Sequence, residues 1–208
     1  MRRSIRALLL GLSFALTAIL PSLPVRAANP LVGLFQPPPG MTLTSGTPTN
    51  RLMLRNGKVR LDPKFMRQVV PFASNEAPGT LIIMTGQKFL YLVLGDGKAM
   101  RYGIGTARDG FEWSGSHHIS RKAEWPGWTP PAEMKARKPG LPDYMPGGLN
   151  NPLGARALYI GSTLYRIHGT NEPWTIGGDV SSGCIRMVND DVIDLYSRVK
   201  IGAKVIVL

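Results

Sequence analysis

The chain has 208 residues, 25 Lys and Arg against 13 Asp and Glu for a formal net charge of +12, 43% hydrophobic residues and one cysteine. That length suits one domain plus an extension and can bury a real core, while a lone cysteine excludes an intrachain disulfide framework. The basic balance draws the protein to anionic surfaces such as cell-wall polymers or lipid headgroups, or serves solubility alone. Nucleic acid is disfavoured, because the basic residues are scattered without interleaved aromatics or a nucleic-acid-binding motif.

In chain order, Met1 to Arg6 is a basic n-region, Ala7 to Leu20 is apolar but short for a bilayer span, and Val25-Arg26-Ala27 resembles a small-residue cleavage site. Residues 1–27 therefore read as a secretory signal peptide, with an uncleaved N-terminal anchor as the alternative. The expected location is outside the cytoplasm, in the periplasm or cell-wall space, with no stable membrane span after cleavage. Removing those residues takes four basic residues and no acid, leaving 21 basic against 13 acidic, or +8 over 181 residues. Residues 28–50, with Pro37-Pro38-Pro39-Gly40 and many Thr and Ser, form an expected Pro/Thr-rich linker. Residues 51–78 form a lead-in segment with a possible hairpin turn at Asn56-Gly57.

The globular unit is expected over residues 79–208. Thr80 to Met84, Lys88 to Leu94 and Ala99 to Ile104 read as a meander of strands, turned by Thr85-Gly86-Gln87 and Gly95-Asp96-Gly97. From Thr106 to Gly148 the chain is rich in Gly, Pro and Trp and lacks a periodic pattern. Trp113, Trp125, Trp128 and Tyr144 there suit irregular loops that wall a groove, although a loop aromatic more often packs locally. His117 and His118 are adjacent and would point to opposite faces of a strand, a poor metal pair, so they are expected to be structural or exposed and no metal site is expected. Leu158 to Ile160 and Leu164 to His168 form another strand pair. Asn189 offers an N-cap, Val192, Leu195, Tyr196 and Val199 recur at helical spacing, Gly202 ends the helix, and Lys204 to Leu208 makes a last strand. The expected fold is mostly β, with one C-terminal helix.

Cys184 lies in Ser181-Ser182-Gly183-Cys184-Ile185-Arg186. Free cysteine is often a small buried hydrophobe, but hydroxyls and a glycine are a poor apolar wall, and the context suits a nucleophile. A thiol with an ordinary pKa is only slightly ionised near neutral pH, so it needs a base or a positive charge beside it. His168 ends a strand and is followed by Gly169-Thr170, where the chain can turn toward the cysteine; a satisfied core histidine is the plainer alternative.

Ile167-His168-Gly169-Thr170 followed by Ser181-Ser182-Gly183-Cys184-Ile185-Arg186 resembles the signature of the L,D-transpeptidase catalytic domain, also called the YkuD domain. Asn151 to Gly154, Arg156 to Tyr159 and Asn189 to Val207 are similar to that family as well, so the resemblance covers about Gly79 to Leu208. It departs at Ser182, where the family often has histidine, and at Gly110 to Gly115, where many members carry a Thr-Pro-x-Gly turn. The resemblance implies a β-sandwich or meander with groove-lining loops. It also implies peptidoglycan 3-3 cross-linking, in the service of cell-wall biogenesis and cell shape, without metal or organic cofactor. The donor would be a tetrapeptide stem and the acceptor the diaminopimelate amine of a second stem; a free D-amino acid or an envelope-protein terminus are other acceptors, and carbapenems are expected to inhibit. By the same resemblance Cys184 is the nucleophile, His168 the base and the Gly169 carbonyl its orienting group. Amides around Gly183 and Cys184 would form the oxyanion hole, and Arg186, Ser182, Ser181 and Trp174 would bind substrate, with Arg186 equally able to brace the loop. Two other readings are a cysteine peptidase or L,D-carboxypeptidase on stem peptides and a catalytically inert peptidoglycan-binding module.

Overall fold

A computed structural model describes residues 61–208 of the chain. The expected signal peptide, the linker and the Asn56-Gly57 turn lie outside the described residues.

The lead-in supplies the first element: Phe65 is buried, and β1 (Gln68–Pro71) pairs antiparallel with β4 (Lys98–Gly103) at the edge of the sheet. Between them run β2 (Leu81–Met84) and β3 (Phe89–Gly95). The β3–β4 hairpin turns through Asp96 at φ +49° and Gly97 at +66°, the two left-handed positions that a two-residue hairpin turn demands. Then follow β5 (Thr106–Ala107), β6 (Gly115–Glu124), the short helix α1 (Ala132–Arg137), β7 (Arg156–Ile160), β8 (Arg166–His168), β9 (Asp179–Ser181), β10 (Ile185–Arg186), α2 (Asn189–Arg198) and β11 (Lys204–Val207).

Nine strands form one sheet in the order β1-β4-β3-β2-β11-β6-β7-β8-β10, and β5 and β9 pair separately in parallel. The mostly β expectation holds. The long strand β6 joins the two halves of the sheet: Gly115 to His118 pair with β11, whereas Ile119 to Glu124 pair with β7 across a register shift between Ile119 and Arg121. Leu81, Leu90 and Tyr102 from one half and Leu158, Ile167 and Ile185 from the other meet in a single buried cluster, with Val192, Leu195 and Val199 of α2. The sheet therefore folds over its own apolar face, and α2 helps to fill the space.

Two local expectations are corrected. The stretch read as irregular loop contains β6 and α1; of the ten residues of β6 only Ile119 is buried, so no alternation marks it. Asn189 does not cap α2 with its side chain: the cap position is Val188, and Asn189 Oδ1 accepts the Ala155 N–H at 2.9 Å. That reach ties the start of α2 to β7. It also explains Gly169, where a Cβ would come within 2.2 Å of Asn189 Oδ1.

Candidate active site

The site is built by the parallel pair β8 and β10. Ile167 lies opposite Ile185 and His168 opposite Arg186, so with a side-chain period of two both isoleucines enter the core while Arg166, His168, Cys184 and Arg186 share the other face. All four line one cleft of about 810 Å³. Its far wall comes from Arg108 and Phe111 after β5, Met134 and Arg137 of α1, and Trp128.

His168 is 4% exposed and its Nδ1 lies 2.5 Å from the Gly169 carbonyl oxygen. A carbonyl only accepts, so Nδ1 carries the proton and Nε2 of the neutral ring keeps its lone pair. Burial pushes the His168 pKa down to about 3; the Gly169 carbonyl opposes this, and Arg186 and Arg166 reinforce it. Cys184 is half-buried. Burial pushes its thiol up, and the positive charge and hydrogen-bond donors of Arg166, followed by the charge of Arg186, pull it back.

The cysteine turn is held from within. Ser181 Oγ donates to the Cys184 carbonyl at 2.6 Å and accepts the Gly183 N–H at 3.2 Å. Trp113 Nε1 donates to the Gly183 carbonyl at 2.6 Å, and the Trp113 ring stacks on Tyr165 at 4.4 Å. Gly183 has φ +107°, and a Cβ there would fall 2.2 Å from the Tyr165 ring, so nothing but glycine fits. On either side, Arg108 N–H donates to the Ser181 carbonyl, and Gly105 and Arg186 exchange backbone hydrogen bonds at 2.9 Å.

Cys184, His168, Ser181, Ser182 and Arg186 thus come together at one cleft, with Gly169 and Gly183 beside them. Three expected roles change. Trp174, on a short 3-10 turn at Pro173–Thr175, is 49% exposed and is not part of the cleft wall. Ser181 has its hydroxyl committed inside the turn, which makes it a brace rather than a substrate contact. The Gly183 N–H expected in the oxyanion hole is already engaged by Ser181, and the space that Gly183 leaves is filled by Tyr165. Of the two roles open to Arg186, bracing is the one seen: Nη1 meets Glu172 Oε2 at 3.0 Å. Arg166, Glu172, Tyr165 and Arg108 escaped the sequence reading. For Arg166 the signal was present, since it stands two residues before His168 in a strand and so shares its face.

A β scaffold that turns a thiol and a buried, neutral imidazole into one cleft suits covalent chemistry at sulfur. The chain belongs to the YkuD family, the L,D-transpeptidase catalytic domain, whose sequence profile matches residues 78–207. It is 46% identical over 91 residues to the Escherichia coli K12 protein named Probable L,D-transpeptidase ErfK/SrfK, a match covering 42% of this chain and 29% of that protein. The chain thus spans less than a third of that relative. To YqjB of Bacillus subtilis strain 168, provisionally named an L,D-transpeptidase, it is 31% identical over 145 residues, 66% of this chain and 76% of that one. A crystal structure from Brucella melitensis, described as a Probable carnitine operon oxidoreductase caia, is 48% identical, with a TM-score of 0.48, covering 71% of this chain and 96% of that one.

Proposed function

We propose that the protein is an exported peptidoglycan L,D-transpeptidase that forms 3-3 cross-links through a thioester on Cys184. The observation that carries this reading is the shared cleft face of Cys184 and His168 on the β8/β10 pair. The Cys184 sulfur attacks the carbonyl of diaminopimelate at the third position of a tetrapeptide stem. His168 Nε2 takes the thiol proton and passes it to the departing amine of the terminal D-alanine, leaving a thioester. The side-chain amine of a second stem then attacks the thioester, forming the new amide and returning the sulfur. The Gly169 carbonyl keeps the imidazole in the required tautomer. Oxyanion stabilisation falls to the Cys184 N–H, which meets no acceptor among the described residues, whereas the Gly183 N–H is held by Ser181. The cleft carries five cationic side chains, Arg108, Arg137, Lys138, Arg166 and Arg186, against Glu133 and Glu172, which suits a stem peptide rich in carboxylates. Export rests on the basic and apolar pattern of residues 1–27; among the described residues no helix is long and apolar enough to cross a membrane.

Muropeptide analysis after incubation with tetrapeptide-bearing peptidoglycan tests this directly. Wild-type protein should yield 3-3 dimers and Cys184→Ala none; tripeptides alone would make the protein a carboxypeptidase. On the same reading a carbapenem adds the mass of one inhibitor molecule to wild-type protein and nothing to Cys184→Ala. Turnover by Cys184→Ala near the wild-type rate would sink the mechanism.

A further inference from the structure

Two arginines share the cleft face with Cys184, and their surroundings differ. Arg186 is paired with Glu172 at 3.0 Å. Arg166 has no carboxylate partner among the described residues: its guanidinium carbon stands 5.3 Å from the centre of the Tyr159 ring, and its Nε is buried without a hydrogen bond. Stepping the parallel register back by one from Ile167 opposite Ile185 sets Arg166 beside Cys184, and both line the cleft. A half-buried guanidinium with no carboxylate partner among the described residues, in register beside a half-buried thiol, lacks only the proton's departure to become an ion pair.

We propose that Arg166 is a positioning residue for the nucleophile, its guanidinium serving as the counter-charge that favours the Cys184 thiolate, while His168, neutral in the resting protein, remains the acceptor of the thiol proton. The inference rests on Cys184 being the nucleophile of the proposed transpeptidase, but concerns the thiol itself. The electrostatics agree: Arg166 acts on the thiol ahead of Arg186, and both arginines oppose a positive charge on His168. The remaining ionisable groups lining the cleft around Cys184 are Tyr165 from the β8 side, Glu172 bound to Arg186, and Arg108 beyond β5. From α1 and its end come Glu133, Arg137 and Lys138 across the cleft. None of these lies in register with Cys184.

Alkylation of Cys184 by iodoacetamide, followed against pH, reads the thiolate without any peptidoglycan. In that reaction the thiol proton goes to solvent, the sulfur lone pair forms the S–C bond and iodide leaves. The full-length protein is compared with Arg166→Gln, Arg166→Met and Arg166→Lys, each with its thermal midpoint recorded; Met keeps the aliphatic stem should Gln fail to fold. In the two neutral variants the alkylation midpoint should rise by about one pH unit and the rate near neutrality fall roughly tenfold. Arg166→Lys should stay near wild type. A midpoint unmoved by Gln or Met, or displaced as far by Lys, overturns the proposal. An Arg166-dependent midpoint in a protein that makes no 3-3 dimers would overturn the transpeptidase reading and leave this one standing.

Discussion

His168 couples the chemistry of the cleft to the stability of the fold. Its ring is buried neutral with a pKa of about 3, while an imidazole in the unfolded chain titrates at about 6.5. Between those values the unfolded state binds a proton that the native state refuses. The contribution of this ring to stability is therefore full above the unfolded value and is lost as pH falls toward the native one. Denaturant midpoints of wild type should fall more steeply through this acid interval than those of His168→Gln, which has no titrating ring. The same variant keeps a hydrogen-bonding side chain but accepts no proton, so acylation should slow by roughly a hundredfold or more. Parallel acid slopes for the two proteins would mean that the native ring is already charged.

At the level of elements, β6 and α2 depend on each other. Lys122 of β6 donates from Nζ to the Tyr196 carbonyl at 2.6 Å and the Val199 carbonyl at 2.7 Å, closing the carboxyl end of α2, and lies 4.1 Å from the centre of the Tyr196 ring. A cation there satisfies carbonyls that the helix leaves open and faces the negative end of its dipole. Lys122→Met keeps the stem and removes the bonds, at an expected cost of about 1–2 kcal/mol, read as a lower denaturant midpoint at unchanged slope. An unshifted midpoint would show that water caps the helix equally well. The helix was legible in advance from Val192, Leu195 and Val199, all of which are buried. The strand was not, because Ser116 to Glu124 present charged and polar side chains on both faces, and β6 is held by ladders to β11 and β7 rather than by an apolar stripe.

Across the whole molecule, the order of the sheet sets a gradient of stability. Every residue of β2 is buried and its neighbours β3 and β11 are nearly so, whereas edge strand β1 has three exposed residues of four. Amides of β2 and β11 should exchange with solvent only on global unfolding, and those of β1 by local opening. The cysteine turn is fastened at the other end of the sheet by β8, β9 and Gly105. Destabilising β1 by Val70→Gly should therefore speed exchange in β1 while leaving Cys184 alkylation unchanged. A parallel loss of thiol reactivity would reveal a coupling between the two ends of the sheet.

Patterns of short range were decided by the residues themselves: the apolar runs of β2 and β3, the left-handed turn at Asp96-Gly97, the spacing of α2, and the histidine and cysteine motifs of the family. Such features need only neighbours two to four positions away, and composition states them. What a side chain meets across the fold was decided by packing. Asn189 bonds Ala155 rather than capping its own helix, Tyr165 occupies the space that Gly183 leaves, Glu172 holds Arg186, and Trp174 lies outside the cleft wall. Each depends on strands brought together from distant parts of the chain, as when Trp113 reaches Gly183 across a separation of 70 residues, and no local rule carries that distance.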